Sequence, residues 1–449
     1  MIKSRALLLM ILMLTMLTSH PHNAPSSTTD PEPLRIEERW LVTWGGDGYE
    51  SPRRIIYDGS HLYVYGRTLS HGDGESNIFL AKYDMEGGLQ WDAVWETPTL
   101  DVPWGYALEG PHIYITGTAN RGEDPHVDHD VILLKIDRES GELVWNASWG
   151  GTGWEGEPGS DHGRDVEVLD GAIYVAGTTT SDAGGPDEGD ILLLKFGAEG
   201  RLIWRRQYGG DATHEYGYHL EAGDGMLYVS GRFLHLTRTD EETVGEERML
   251  ICMLDPDGEL IWNETYVGIL NEPGGMHIDE RSIYLIGDAW LSDRKGEISV
   301  MRVDTDGALD WYKLWGSREN EAAHYGLAVA GDSVYAFGGL GGHGVRNQDL
   351  SLISYSVRGE LLGNHTWGSW RNESAWDMTL IGDTFYLLGQ VGAPGEGVDV
   401  YLSAVGNPFP HYVDPGPEES FLQTWQIYGI VGVLLALTGY VYLWRLVDD

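Results

Sequence analysis

The chain has 449 residues, and 29 Lys and Arg against 70 Asp and Glu give it a formal charge of −41, which excludes a nucleic-acid binder, whose phosphate contacts need a basic surface. Apolar content of 42% with 24 Tyr and 18 Trp excludes a disordered chain, and 62 Gly argue for an all-β fold of short strands and tight turns. The single cysteine, Cys252, excludes a disulfide within the chain and a cysteine-based zinc or iron–sulfur site.

Residues 1–24 read as a secretory signal peptide: Lys3 and Arg5, an apolar run from Ala6 to Leu17, then small and polar residues to Ala24. The run of 12 is too short to cross a bilayer, so cleavage is expected, and residues 25–39 read as a linker. From 40 to 407 the chain repeats itself. A strand ending in Tyr-x-x-Gly or a close variant occurs at Leu62 to Gly66, Ile113 to Gly117, Ile173 to Gly177, Leu227 to Gly231, Ile283 to Gly287, Val334 to Gly338 and Phe385 to Gly389. The glycines are 51, 60, 54, 56, 51 and 51 residues apart, the length of a propeller blade.

After each glycine come a variable polar loop, a strand such as Asp130 to Lys135 or Asp190 to Lys195, and a tight Asp/Gly turn. A fourth strand then carries aromatics four apart: Trp91 and Trp95, Trp145 and Trp149, Trp204 and Tyr208, Trp262 and Tyr266, Trp311 and Trp315. Residues four apart in a strand share a face, so each pair can fill the gap between neighbouring sheets. The sixth copy has Gly363 at the first position and keeps only Trp367, and the seventh lacks its fourth strand. Trp40 to Trp44 has the missing spacing, so the N-terminal strand is expected to complete the last blade. The prediction is a seven-bladed β-propeller of four-stranded blades over 40–407.

Residues 408–426 read as a stalk. Ile427 to Trp444 is 18 residues without a charge, about 27 Å as a helix, and aromatics sit near its ends. It reads as one C-terminal transmembrane helix, with 445–449 as a cytosolic tail. The expected location is the cytoplasmic membrane, single-pass, with the propeller outside the cell and the C-terminus inside.

The pattern Tyr-x-x-Gly-Thr-x-Ser, Asp-(Ile/Val)-x-Leu-x-Lys, Gly-x-Leu-x-Trp-x-x-x-Trp-Gly-Gly is clearest at Gly177 to Ser181, Asp190 to Lys195 and Gly141 to Gly151. It resembles the seven-bladed beta-propeller (SBBP-type) repeat of secreted bacterial and archaeal proteins, over about four fifths of the chain. The resemblance implies an extracytoplasmic propeller and carries no catalytic motif. Met253 in place of the repeat's lysine and the lost tryptophan of the sixth copy depart from the pattern.

Calling the strands of a blade a to d, the long b–c and d–a connections gather on one face, the expected binding surface. Thirteen residues before the repeat glycines stand Arg53, Trp104, Arg164, Tyr218, Gly274, Tyr325 and Trp376, early in the innermost strand; Arg54, Asp165, His219 and Asp377 follow one residue on. Aromatic faces stack on sugars or peptide groups and arginine forks carboxylates; alternatively the aromatics plug the channel. Acidic b–c loops holding Asp128, Asp130, Asp187 and Asp190 suit calcium, although none has the full Asp-x-Asp-x-Asp-Gly spacing, and a solvated acidic surface is the other reading. Recurrence of Asp130, Asp190, Asp349 and Asp399 before strand c argues for a structural hydrogen bond. His126 and His129 beside Asp128 resemble a metal cluster on paper, and His162 and His214 could act in acid–base chemistry. Sequons at Asn146, Asn263, Asn364 and Asn372 suit a glycosylated exported protein.

These features lead to a cell-surface binding or scaffold module for a glycan, peptide or protein partner. The alternatives are an extracytoplasmic glycan hydrolase or lyase, with Asp165, Asp377 and His219 as its candidates, and a surface-layer protein bridged by cations.

Overall fold

A computed structural model describes residues 37–409, apart from 72–75, 96–101, 122–127, 154–158, 182–188, 211–212, 239–242, 269–271, 291–295, 317–320, 341–348, 368–371 and 393–396. All the omitted internal stretches fall in b–c and d–a connections. The expected signal peptide, stalk, transmembrane helix and tail, and all but the last residues of the linker, lie outside the described residues.

Seven antiparallel sheets of four strands each are present, in chain order a to d from the axis outward. Blades one to six span 50–95, 102–149, 161–208, 213–267, 272–315 and 321–367. Blade seven takes its inner strands from Asn372–Ile381, Thr384–Gly392 and Val398–Gly406, and its outermost from Glu38–Trp44, which pairs Trp40 with Ala404 and Trp44 with Val400. The closure expected from the Trp40/Trp44 spacing is the one observed. No helix among the described residues is long and apolar enough to cross a membrane.

Strands b and c are buried on both faces and read as nearly continuous apolar runs, whereas strands d alternate between exposed and half-buried positions. The repeat tyrosine on b meets the first aromatic of d in five blades, with ring centroids 6.1 Å apart for Tyr63 and Trp91, 6.2 Å for Tyr114 and Trp145, and 5.8 Å for Tyr386 and Trp40 at the closure. That aromatic also packs under the next blade's c–d turn: Trp91 under Gly141, Trp145 under Gly200, Trp204 under Gly258, and Trp40 under Gly87 across the seam. These glycines sit at φ of 74° to 84°, and a Cβ on any of them would press on the indole below. The recurrent lysine lies between the two rings and reaches the next turn: Lys195 Nζ is 5.1 Å from the centroid of Tyr174, 5.8 Å from that of Trp204, and donates to Pro256 O at 3.0 Å.

Blade six solves its missing tryptophan from the other side. The ring of Phe409, just past the last strand of blade seven, covers Gly363 and lies 6.0 Å from Tyr335. A residue after the repeats therefore fills the space that a residue within the repeat fills elsewhere.

Candidate functional site

The site begins with the repeat glycine. A Cβ on Gly66, Gly117, Gly177, Gly231 or Gly389 would run into the carbonyl of Ser51, Val102, His162, Tyr216 or Ser374 on strand a. Two residues after each of those carbonyls, strand a bulges: Pro52 pairs with Gly66 and Arg54 with Tyr65, leaving Arg53 unpaired. The same shift isolates Trp104, Arg164, Tyr218, Gly274 and Trp376, and in blade six it covers the stretch that includes Tyr325. A bulge re-aims the side chain it carries. The positions found thirteen residues before each glycine are these bulged residues.

Five of them form a continuous stack across blades seven, one, two, three and four. The Arg53 guanidinium lies 5.0 Å from the Trp376 ring and 4.3 Å from Trp104, and Arg164 lies 4.2 Å from Trp104 and 5.7 Å from Tyr218. Arg53 is buried and also donates to Pro103 O at 2.8 Å. Trp376 donates its indole N–H to Gln390 Oε1 at 3.1 Å. Trp104 thus faces two guanidinium groups, which fits the plug reading better than a free stacking platform. Gly274 adds no side chain, and the side chain of Tyr325 lies outside the described residues.

On the side of the a–b turns, next to this stack, the channel widens into a cavity of about 310 Å³. It collects Arg54, Asp165, His219 and Asp377, one residue past the bulges, and Glu167, Glu221, His277 and Thr379, three past them. Tyr106, Leu108, Met276, Leu327 and Met378 complete its walls. Asp165, His219 and Asp377 are the candidate acid–base set that the sequence leaves on separate blades. Burial falls toward the turns: the side chains of Asp165 and His219 are 5% and 4% exposed, those of Glu221 and His277 26% and 42%. The cavity therefore meets solvent on the a–b turn side, opposite the long loops that were the expected binding surface.

Each carboxylate in it ties one blade to the next. Asp377 Oδ2 accepts the Ile55 N–H at 2.8 Å, Asp165 Oδ2 the Leu220 N–H at 3.1 Å, and Glu221 Oε1 the Ile278 N–H at 3.1 Å. Asp165 also pairs with Arg54 at 3.8 Å; His219 Nε2 donates to Pro273 O at 3.2 Å, and its Nδ1 lies 3.6 Å from Asp165 Oδ2, an ion pair only when the imidazole is protonated. Burial pushes the Asp377 carboxyl up to about 7, against the opposing charge of Arg54. Burial likewise raises Glu167 to about 7 and Glu221 to about 8, with the neighbouring carboxylates adding to it. Burial lowers His219 and His277, keeping both neutral near pH 7. Burial also works against the charge of Arg54, but Asp165 and Asp377 outweigh it and hold the guanidinium charged.

Glu167, Glu221 and His277 were missed in the sequence. Their signal was available: ten residues before the repeat glycine the other blades have Ile56, Ala107, Ala328 and Thr379, so a charged or imidazole side chain there breaks the pattern.

The remaining candidates fall elsewhere. Asp130 accepts from Arg121 Nε at 3.1 Å and Asp190 from Gln207 Nε2 at 2.7 Å. Each packs against the glycine ending strand d, Gly150 and Gly209, as Asp399 does against Gly45, which gives the Trp-Gly-Gly motif a steric reason and fits the structural role read from recurrence. Asp128 sits at φ 67°, and Asp187 and His126 lie outside the described residues. Among the described residues no group of three or more His, Cys, Asp or Glu is placed to hold a metal ion. His129 and His162 come together, rings 4.9 Å apart, both bonded to Ser160 Oγ, at 2.9 and 3.0 Å. Burial drives His162 down to about 3, too weak a base to activate that hydroxyl. His214 is buried in blade four, away from the cavity lining. Asn146, Asn263 and Asn364 are exposed on outermost strands; the side chain of Asn372 lies outside the described residues.

No protein-family profile matches the chain, and no curated protein matches it. Among solved structures it is similar to the Dos1 propeller (12% identity, 84% of this chain and 97% of that one, TM-score 0.49). It is also similar to extracellular domains 1-2 of Drosophila Semaphorin 1b (9% identity, 83% and 87%, TM-score 0.48). A third similarity is to Trypanosoma rangeli sialidase in complex with sialic acid (9% identity, 83% and 58%, TM-score 0.43). At these values none of the three argues for a ligand or a reaction. The chain is an all-β propeller of seven four-stranded blades closed by its N-terminal strand.

Proposed function

We propose that this protein is an extracytoplasmic propeller, anchored by residues 427–444 in the cytoplasmic membrane, that acts as a binding module with its central cavity as the site. The partner is a protein, peptide or glycan that inserts a small polar group into the channel. The supporting observation is the cavity itself: groups from every blade converge on a space of about 310 Å³ that is polar, reaches solvent, and is flanked by a stack of aromatics and arginines. The resemblance to secreted SBBP-type repeats and the apolar segments at both ends support the location. Binding is favoured over catalysis because the carboxylates are engaged in joining blades.

The test is a thermal-shift titration of the full chain in detergent against a panel of oligosaccharides and peptides, repeated on Thr379→Trp, which fills the cavity from its half-buried wall. A midpoint rise in the wild type that disappears in the variant supports the reading. A rise that survives the variant moves the site to another surface.

A second reading, a glycan hydrolase or lyase, is favoured by one observation: Asp377, with its carboxyl pushed up to about 7, shares the cavity with Asp165. It requires release of reducing ends from an oligosaccharide, lost in Asp377→Asn.

A further inference from the structure

Resting on the binding reading of the cavity, we infer that the group it takes is a primary alkylammonium, as on a lysine side chain or a polyamine. The cavity's walls are acidic with apolar patches. Blades three and four supply Asp165, Glu167 and Glu221; blades five, six and seven supply Met276, Leu327 and Met378, together with His277, Thr379 and Asp377. A guest with a charged end and a methylene chain matches both kinds of surface; a bare inorganic cation would leave the apolar patches unused, and a neutral sugar, although its hydroxyls donate to carboxylates, brings no counter-charge.

The charge balance points the same way. At pH 8, at or above the values of Asp377, Glu167 and Glu221, four carboxyls face one guanidinium and the two histidines are neutral. Arg54 sits beside Asp165 at the ring end of the cavity. Glu167 and Glu221, nearer the mouth, form no ion pair with a lysine or arginine among the described residues; Glu221 Oε1 has only the Ile278 N–H and His277 Nδ1, the latter at 3.7 Å. Crowded acids in a half-dry pocket favour an incoming cation, which supplies the missing charge at that level. The a–b turns around the mouth carry the exposed Asp170, Asp224, Asp279 and Asp383 and the half-buried Asp332, whose field draws cations toward it.

The experiment is isothermal titration of the full chain in detergent at pH 8 with spermidine, with the peptide acetyl-Gly-Gly-Lys-Gly-Gly-amide, and with calcium chloride. The expected result is one site per chain for an amine and none for calcium in this cavity. Glu221→Gln is expected to weaken amine binding about tenfold, the loss of one charge contact in a partly wet site. Should Glu221→Gln fail to fold, Thr379→Lys places an ammonium in the wall from within; it is expected to abolish amine binding and to raise the melting midpoint. Binding of both amines assigns a lysine-bearing partner, and binding of spermidine alone a free polyamine. Absence of binding by either amine overturns the inference, as does amine binding unchanged in both variants. If an oligosaccharide still gives a thermal shift lost in Thr379→Trp, the binding module stands and only its ligand class falls.

Discussion

The carboxylate of Asp377 accepts the backbone N–H of Ile55 at 2.8 Å, joining the innermost strand of the last blade to that of the first. The link lies at the same junction that Glu38–Trp44 closes at the rim, so the ring is sealed at both its inner and outer edges. Removing the acceptor in Asp377→Ala leaves a buried N–H unpaired, an expected loss of about 1–3 kcal/mol in urea unfolding. Asp377→Asn keeps an oxygen acceptor and is expected to lose less. Equal losses in the two variants would assign the effect to packing.

Asp377, Glu167 and Glu221 have folded pKa values of about 7, 7 and 8, above their ordinary values of 3.8, 4.5 and 4.5. The native state therefore holds protons that the unfolded chain has released, and these groups lose stability as pH rises from about 4 to about 8. His162, His219 and His277, lowered by burial, act in the opposite sense as pH falls below 6.5. The contribution of one acid is thus read as a difference: the melting midpoint of Glu221→Gln should gain on the wild type between pH 5 and pH 8. A constant offset across that range contradicts the assignment.

Phe409 stands in for a repeat tryptophan. Phe409→Ala should destabilise by about 3 kcal/mol, the order expected for emptying an aromatic site. Gly363→Trp alone should also destabilise, since even a Cβ at 363 would lie 3.1 Å from the Phe409 ring. The double variant restores the arrangement of the other blades and should recover much of the loss. Additive losses in the double-mutant cycle would show that the two positions do not share one space.

Blade four already carries out one substitution: Met253 stands where blades two and three have Lys135 and Lys195. Lys195→Met should therefore cost less than about 1.5 kcal/mol, because the aliphatic stem keeps its place between Tyr174 and Trp204. Lys195→Ala, which empties that place, should cost more. The ordering is checked by chemical denaturation of both variants.

The propeller was legible because its signals repeat. Tyr-x-x-Gly reports a bulge that only glycine accommodates, as at Gly177 against the His162 carbonyl, and the aromatic pairs report where one blade rests on the next. Phe409 was not legible, since it occurs once, outside the period, and its partner Gly363 shows only as a missing residue. The central positions could be found by counting back from each glycine, but not their state. Whether Arg53 reaches for a ligand or is held between Trp376 and Trp104 depends on which blades are adjacent at the axis. Likewise Asp165 and Asp377 are separated by more than 200 residues, and closure of the ring places both in one cavity.

The most direct test is hydrogen exchange of the full chain in detergent at pH 8, with and without saturating spermidine. Protection is predicted in peptides covering 54–57, 106–109, 165–169, 219–223, 276–278 and 377–381, the turn-side halves of the innermost strands. Protection confined to the b–c and d–a connections, or none, would contradict a ligand site in the central cavity.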